Sequence, residues 1–128
     1  MARFTLQARG DADVDTVWER YACPELWRTW SPQIRRVEID AERIKSGLTG
    51  RVVPLLGPRV RFVIDDVDEV HRRWSWHVHV GPVSMRLLHR VHERRGGAVT
   101  DLTMTAPLPV LVGYAPPAQL ALNRLVRP

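Results

Sequence analysis

Cysteine is nearly absent from this chain. Cys23 is the only one, so no internal disulfide forms and no thiolate metal cluster can be assembled. Nothing beside Cys23 supplies a base, so a small buried thiol is a better reading than a nucleophile. Lysine is as scarce. Lys45 stands alone among 19 basic residues, and the remainder are arginine. No run of apolar residues is long enough to span a membrane. The most apolar stretch, Leu108 to Val126, is interrupted by Pro109, Pro116, Pro117, Asn123 and Arg124. The chain opens on strand-like residues rather than on a basic and then apolar leader, and the expected location is the cytoplasm. Repeats, low-complexity segments and linkers are missing too, so residues 1–128 are expected to form a single domain.

What remains is ordinary globular composition, with 45% apolar and 26% charged residues. The net charge is +5, but the arginines are scattered and cluster only as the pairs Arg35-Arg36, Arg72-Arg73 and Arg94-Arg95. Nucleic-acid binders gather such charge on one face, so the pattern argues against a nucleic-acid partner.

The order of elements follows from periodicity. Phe4, Leu6 and Ala8 alternate with polar neighbours and predict a first strand ending at Gly10. Asp13 then caps a helix with Val14, Val17, Trp18 and Tyr21 on one stripe, and Pro24 opens a second short helical piece. Six further strands are predicted at 34–41, 50–56, 59–70, 73–80, 83–93 and 98–106, joined by short turns that imply an antiparallel meander. The tail turns helical, with Ala118, Ala121, Leu122 and Leu125 aligned. This order is that of an α+β fold.

Two hairpins can be put in register by hand. Centring one on Gly81-Pro82 sets Val80, Val78, Trp76 and Trp74 opposite Val83, Met85, Leu87 and His89, all on one dry face. Centring the next on Arg95-Gly96 continues that face, with Met85, Leu87 and His89 opposite Ala106, Met104 and Leu102. The wet face then sets Arg90 against Asp101 as an exposed pair. Val60, Phe62 and Ile64 are in phase but Val67 is not, which predicts a β-bulge near Asp65-Asp66. The dry face carries two Trp and two Met, whereas the terminal helix offers one Ala-rich stripe. That mismatch points to a cavity, with a solid core completed by the N-terminal helices as the alternative.

These motifs, in order, resemble the polyketide cyclase/dehydrase family of the START-like (SRPBCC, Bet v 1-like) superfamily. The residues that carry the resemblance are W-x-x-W-S-P at Trp27 to Pro32, I-R-R-V-E-I-D at Ile34 to Asp40, and the glycines Gly47 and Gly50. With them stand V-R-F-V-I-D-D-V-D at Val60 to Asp68, W-S-W-H-V at Trp74 to Val78, L-L-H-R-V-H-E at Leu87 to Glu93, and Y-A-P-P-A-Q-L-A-L-N-R-L-V at Tyr114 to Val126. The resemblance implies a helix-grip fold: a curved seven-stranded antiparallel sheet around a C-terminal helix, with two short helices between the first and second strands. It also implies a small hydrophobic ligand, lipid-, polyketide- or aromatic-like, in the space between. Some family members cyclise and aromatise poly-β-ketone chains, which keeps an aromatase/cyclase activity open as the alternative. No cofactor is implied. One departure stands out: Pro116-Pro117 predicts a main helix of only about Pro117 to Val126, after a short turn near Val110 to Tyr114. A homodimer partner would then close the cavity.

Within that frame Trp30, Phe62, Ile64, Trp76, Met85, Leu87, His89, Met104 and Tyr114 are expected to line the space. His89 and Tyr114 are the catalytic candidates. His89 would act as acid, base or donor to a bound carbonyl, or be a core histidine satisfied by Tyr114 or backbone. Tyr114 would orient a ligand or simply cap the core. Trp27 and Trp30 would stack on a ligand at the mouth or hold the short helices. His77 and His79 share a face but lack a third ligand, so no metal is expected, and the acidic run Asp65, Asp66, Asp68 and Glu69 reads as a solvated hairpin end.

Overall fold

A computed structural model describes all of residues 1–128. Seven strands form one antiparallel, curved sheet: β1 (Ala2–Gly10), β2 (Ile34–Ile39), β3 (Thr49–Pro54), β4 (Val60–Asp68), β5 (Arg73–Val80), β6 (Val83–Arg94) and β7 (Gly97–Ala106). Their spatial order is β1-β7-β6-β5-β4-β3-β2. The meander from β2 to β7 is closed by β1, which pairs with β7 from Ala2–Ala106 to Gly10–Ala98.

The register of both central hairpins is the predicted one. Trp76 faces Leu87 and Trp74 faces His89 across β5 and β6, and His89 faces Leu102 across β6 and β7. The second ladder starts at Arg86–Thr105, one step short of the expected Met85–Ala106 pair. Between β4 and β5 the register slips at Asp65, the extra residue that brings Val67 opposite Trp74 and onto the dry face.

The Arg90–Asp101 pair forms, with Nε 2.9 Å from Oδ1, but it is not the exposed pair expected. The Asp101 side chain is only 8% exposed and also meets His92 Nε2 at 3.3 Å. Strand β7 lies inside the sheet, between β1 and β6, so its neighbours Gln7 and Arg90 flank Asp101 on both sides.

Helix α1 (Val14–Ala22) is capped by Asp13, whose carboxylate accepts the Asp15 N–H at 3.0 Å. A 3₁₀ turn (Pro24–Leu26) leads into the single turn α2 (Trp27–Trp30). The last carbonyls of a helix have no partner within it. Here two indoles supply them: Trp27 Nε1 donates to Tyr21 O at 2.8 Å, and Trp30 Nε1 to Arg20 O at 3.0 Å. Both tryptophans are therefore structural.

The largest departure from expectation is α3, which runs unbroken from Leu108 to Leu125 with Pro116 and Pro117 inside it. The two prolines have no N–H, so the carbonyls of Val112 and Gly113 receive no helical bond. Burial of Leu111, Ala118, Ala121, Leu122 and Leu125 holds the helix together across the gap. The helix lies over β1 and β7, and Val126 O accepts the Ala12 N–H at 3.1 Å, tying its end to the start of α1.

Candidate functional site

The sheet's dry face and the first half of α3 enclose a cleft of about 400 Å³. Its sheet wall is Val52, Val60, Trp76, Val78, Val80, Val83 and Met85; its helix wall is Val110 and Tyr114; Ser31, Gln33, Ile34 and Pro54 complete the lining. None of these residues is charged. A space of this size and character is typical of small-molecule sites, which run from about 300 to 1,000 Å³. The longer helix supplies this wall, because Val110 and Tyr114 lie ahead of the prolines. A larger depression of about 840 Å³ lies elsewhere, on β2 to β5. It is lined mainly by polar and charged side chains, and Glu38 there is already paired with Arg36 and Arg59.

Behind the cleft lies a second chamber of about 50 Å³, bordered by Trp27, Trp30, Trp74, Trp76, His89, Leu102, Tyr114 and the α3 residues Ala118, Ala121 and Leu122. Ser31, Ile34, Trp76 and Tyr114 border both spaces and so form the wall between them. The chamber is small because the N-terminal helices fill the concavity. Tyr21 packs edge-on against Trp30, Trp74 and His89, and Trp27 packs against Phe62, Trp74 and Trp76.

His89 is buried in this aromatic cluster. Its ring stacks on Trp74 with centroids 4.7 Å apart and planes 10° from parallel. Trp76 Nε1 donates to its Nε2 at 3.0 Å, so the partner is a tryptophan and not the expected Tyr114 or backbone. Burial alone pulls its pKa down to about 3, so the ring is neutral at ordinary pH. With Nε2 accepting, the ring proton resides on Nδ1. That Nδ1–H and the Trp74 indole N–H are both buried, and neither meets a protein acceptor. Burial also pushes the Tyr114 phenol up, keeping it protonated.

The sequence-chosen residues divide into two groups. Trp30, Trp76, Met85, His89 and Tyr114 border the cleft or the chamber. Phe62, Ile64, Leu87 and Met104 are fully buried in the packed core and border neither. Sequence reasoning missed the cleft's aliphatic wall on β3 and the start of β4, Val52, Pro54 and Val60, and missed Ser31 and Gln33. The phase of Val60 with Phe62 was the one available signal for that wall.

Outside the site, His77 and His79 stack 6.4 Å apart and His77 Nδ1 meets the Asp65 carboxylate. Glu69 is not merely solvated: it accepts from Trp18 Nε1 at 2.8 Å and from both Arg43 Nε and Nη2 at 2.7 Å. Those bonds, the Arg43 pair first, lower its pKa and latch α1 to the β4–β5 turn. Burial and the nearby Glu19 raise the Cys23 pKa, keeping the thiol protonated and a poor nucleophile.

Residues 1–127 match the family model described as polyketide cyclase / dehydrase and lipid transport. The chain belongs to this family. Among solved structures it is similar to Ara h 8.0201, at 14% sequence identity and a TM-score of 0.77, over 97% of this chain and 94% of that one. At such identity the likeness speaks for the fold alone. Comparison with curated protein sequences finds no match. Membership of the family fits binding of a hydrophobic ligand, but a fold shared this widely does not choose among chemistries. No helix is long and apolar enough to cross a membrane.

Proposed function

We propose that the protein binds a small, largely apolar molecule in the cleft between the dry face and α3. The observation that carries this reading is the lining itself: about 400 Å³ bounded by uncharged side chains, mostly aliphatic, with Trp76 at its inner end. Burying apolar surface there contributes roughly 25 cal/mol per Å² before the costs of association. A ligand entering beside Val110 and Tyr114 would rest on Trp76 and Met85.

The test is binding of an uncharged fluorescent probe such as 1-N-phenylnaphthylamine, measured for the native protein and for Val110→Trp, which fills the cleft from the helix side. Binding by the native protein and its loss in the variant are expected. An unfilled native cleft, or equal binding by the two proteins, overturns the reading.

An aromatase/cyclase activity is the alternative, drawn from family membership. The environment of its two candidate residues weighs against it. The His89 lone pair on Nε2 is engaged by Trp76, and its pKa lies far below neutrality, where a general base is poorly matched to its task. Tyr114 is pushed in the direction that makes it a weaker acid.

A further inference from the structure

Two hydrogen-bond donors at the back of the site have no use in the fold. Trp74 Nε1–H and His89 Nδ1–H are both buried, on two rings that stack on each other, and no protein atom accepts from either. Leaving a buried donor unsatisfied is costly, and native structures rarely keep two together without a role. Both rings border the inner chamber. A volume of about 50 Å³ admits one small polar group and no ring. No charged residue borders the chamber, so an anionic headgroup would enter with no cation to pair it.

We propose that the inner chamber is a subsite for a neutral oxygen, a ketone or an alcohol, at one end of an otherwise apolar ligand. The ligand's body occupies the cleft, and its oxygen accepts from Trp74 Nε1–H and His89 Nδ1–H. This rests on the reading of the cleft as a ligand site. Trp76 fixes the chemistry of the subsite indirectly. By occupying Nε2 of His89 it holds the proton on Nδ1, so that ring faces a ligand as a donor and not as an acceptor. Tyr114 borders both spaces and stands in the way. It lies between Gly113 and the two prolines, on the part of α3 where the carbonyls of Val112 and Gly113 lack helical partners. That stretch of wall is the one most easily displaced to let the oxygen pass.

The experiment is competition against 1-N-phenylnaphthylamine with a matched series: decane, 2-decanone, 1-decanol and decanoate. The ketone and the alcohol are expected to bind about tenfold or more tighter than decane, the worth of one well-made hydrogen bond in a dry site. Decanoate is expected to bind more weakly than the ketone. Trp74→Phe deletes one donor and no existing bond, and should narrow the ratio between ketone and decane affinities measured on that same variant. A second readout needs no variant to fold well. In the native protein the Trp74 indole N–H proton resonance should move downfield on adding 2-decanone and stay put with decane. Equal affinities for decane and 2-decanone overturn the subsite and leave the cleft reading intact. So does a Trp74 resonance indifferent to the ketone. If no member of the series displaces the probe, the cleft reading falls and the subsite with it.

Discussion

Trp76 donates its indole N–H to Nε2 of His89, 3.0 Å away, across the β5–β6 ladder and inside the protein core. The bond fixes which ring nitrogen carries the proton, while burial keeps His89 neutral, and that neutrality has a consequence for stability against pH. Its folded pKa, about 3, lies below the ordinary 6.5 that the unfolded chain shows. A depressed folded pKa means stability that is complete above 6.5 and is lost as pH falls toward 3. From pH 7 to pH 5 the loss is about 2 kcal/mol, because the unfolded state gains a proton the folded state refuses. His89→Phe cannot titrate. Urea melts of both proteins at several pH values should show the native curve falling more steeply between pH 6.5 and 5, and parallel curves would refute the assignment.

Gly97 and Gly10 meet where β7, β1 and the end of α3 converge. A Cβ at Gly97 would lie 1.9 Å from Gly10 O, and one at Gly10 would lie 2.1 Å from Val126 O. Both obstacles are backbone, which cannot rotate away. Gly97→Ala is therefore expected to cost about 3 kcal/mol or more, at the upper end for overpacking. Gly57→Ala serves as the contrast: nothing crowds its Cβ, and only its positive φ of 100° opposes the change. Thermal melts should rank Gly97→Ala well below Gly57→Ala.

Most of the sheet was legible because its code is local. Alternation along β5, β6 and β7, with short turns at Gly81-Pro82 and Arg95-Gly96, leaves one register that buries Trp76, Leu87 and Met104 together, and the structure has it. The out-of-phase Val67 likewise betrayed the bulge at Asp65. Helix α3 was misread because a proline pair is a strong local stop signal, while what overrides it is tertiary: the burial of Leu111 on one side of the pair and of Ala118 and Leu122 on the other. The site was half legible for a related reason. A dry face lists candidates, but whether Phe62 or Val60 borders the empty space depends on where Trp27 and Tyr21 pack, and no periodicity reports that.

The prolines also lead to a prediction about motion. Pro116→Ala restores a donor for Val112 O, and Pro117→Ala one for Gly113 O. Each change should strengthen the turn of α3 that carries Tyr114. The double variant is expected to melt at a higher temperature and to release 1-N-phenylnaphthylamine more slowly in stopped-flow exchange, with a smaller change in equilibrium affinity. Unchanged release would show that the wall at Tyr114 does not control access.

The fourth prediction concerns the residue against which His89 leans. The Tyr21 and His89 rings are 4.8 Å apart, and the Tyr21 phenol is fully buried. Thr100 Oγ1 donates to Arg90 O at 2.9 Å, so its lone pair is what accepts the Tyr21 O–H, at 2.6 Å. Burial, the largest influence, pushes the Tyr21 pKa up, so the phenol is a donor at every working pH. Thr100→Val removes the acceptor and leaves a buried hydroxyl stranded, which should cost about 1–3 kcal/mol. Tyr21→Phe removes the hydroxyl itself and leaves Thr100 bonded to Arg90, so it should cost less, about 1 kcal/mol. In the double variant no phenol is stranded and only Arg90 O has lost a side-chain donor, so its cost should fall short of the sum of the two singles. Strict additivity in denaturant melts would mean that the 2.6 Å contact contributes nothing, and that His89 is positioned by the shape of Tyr21 alone.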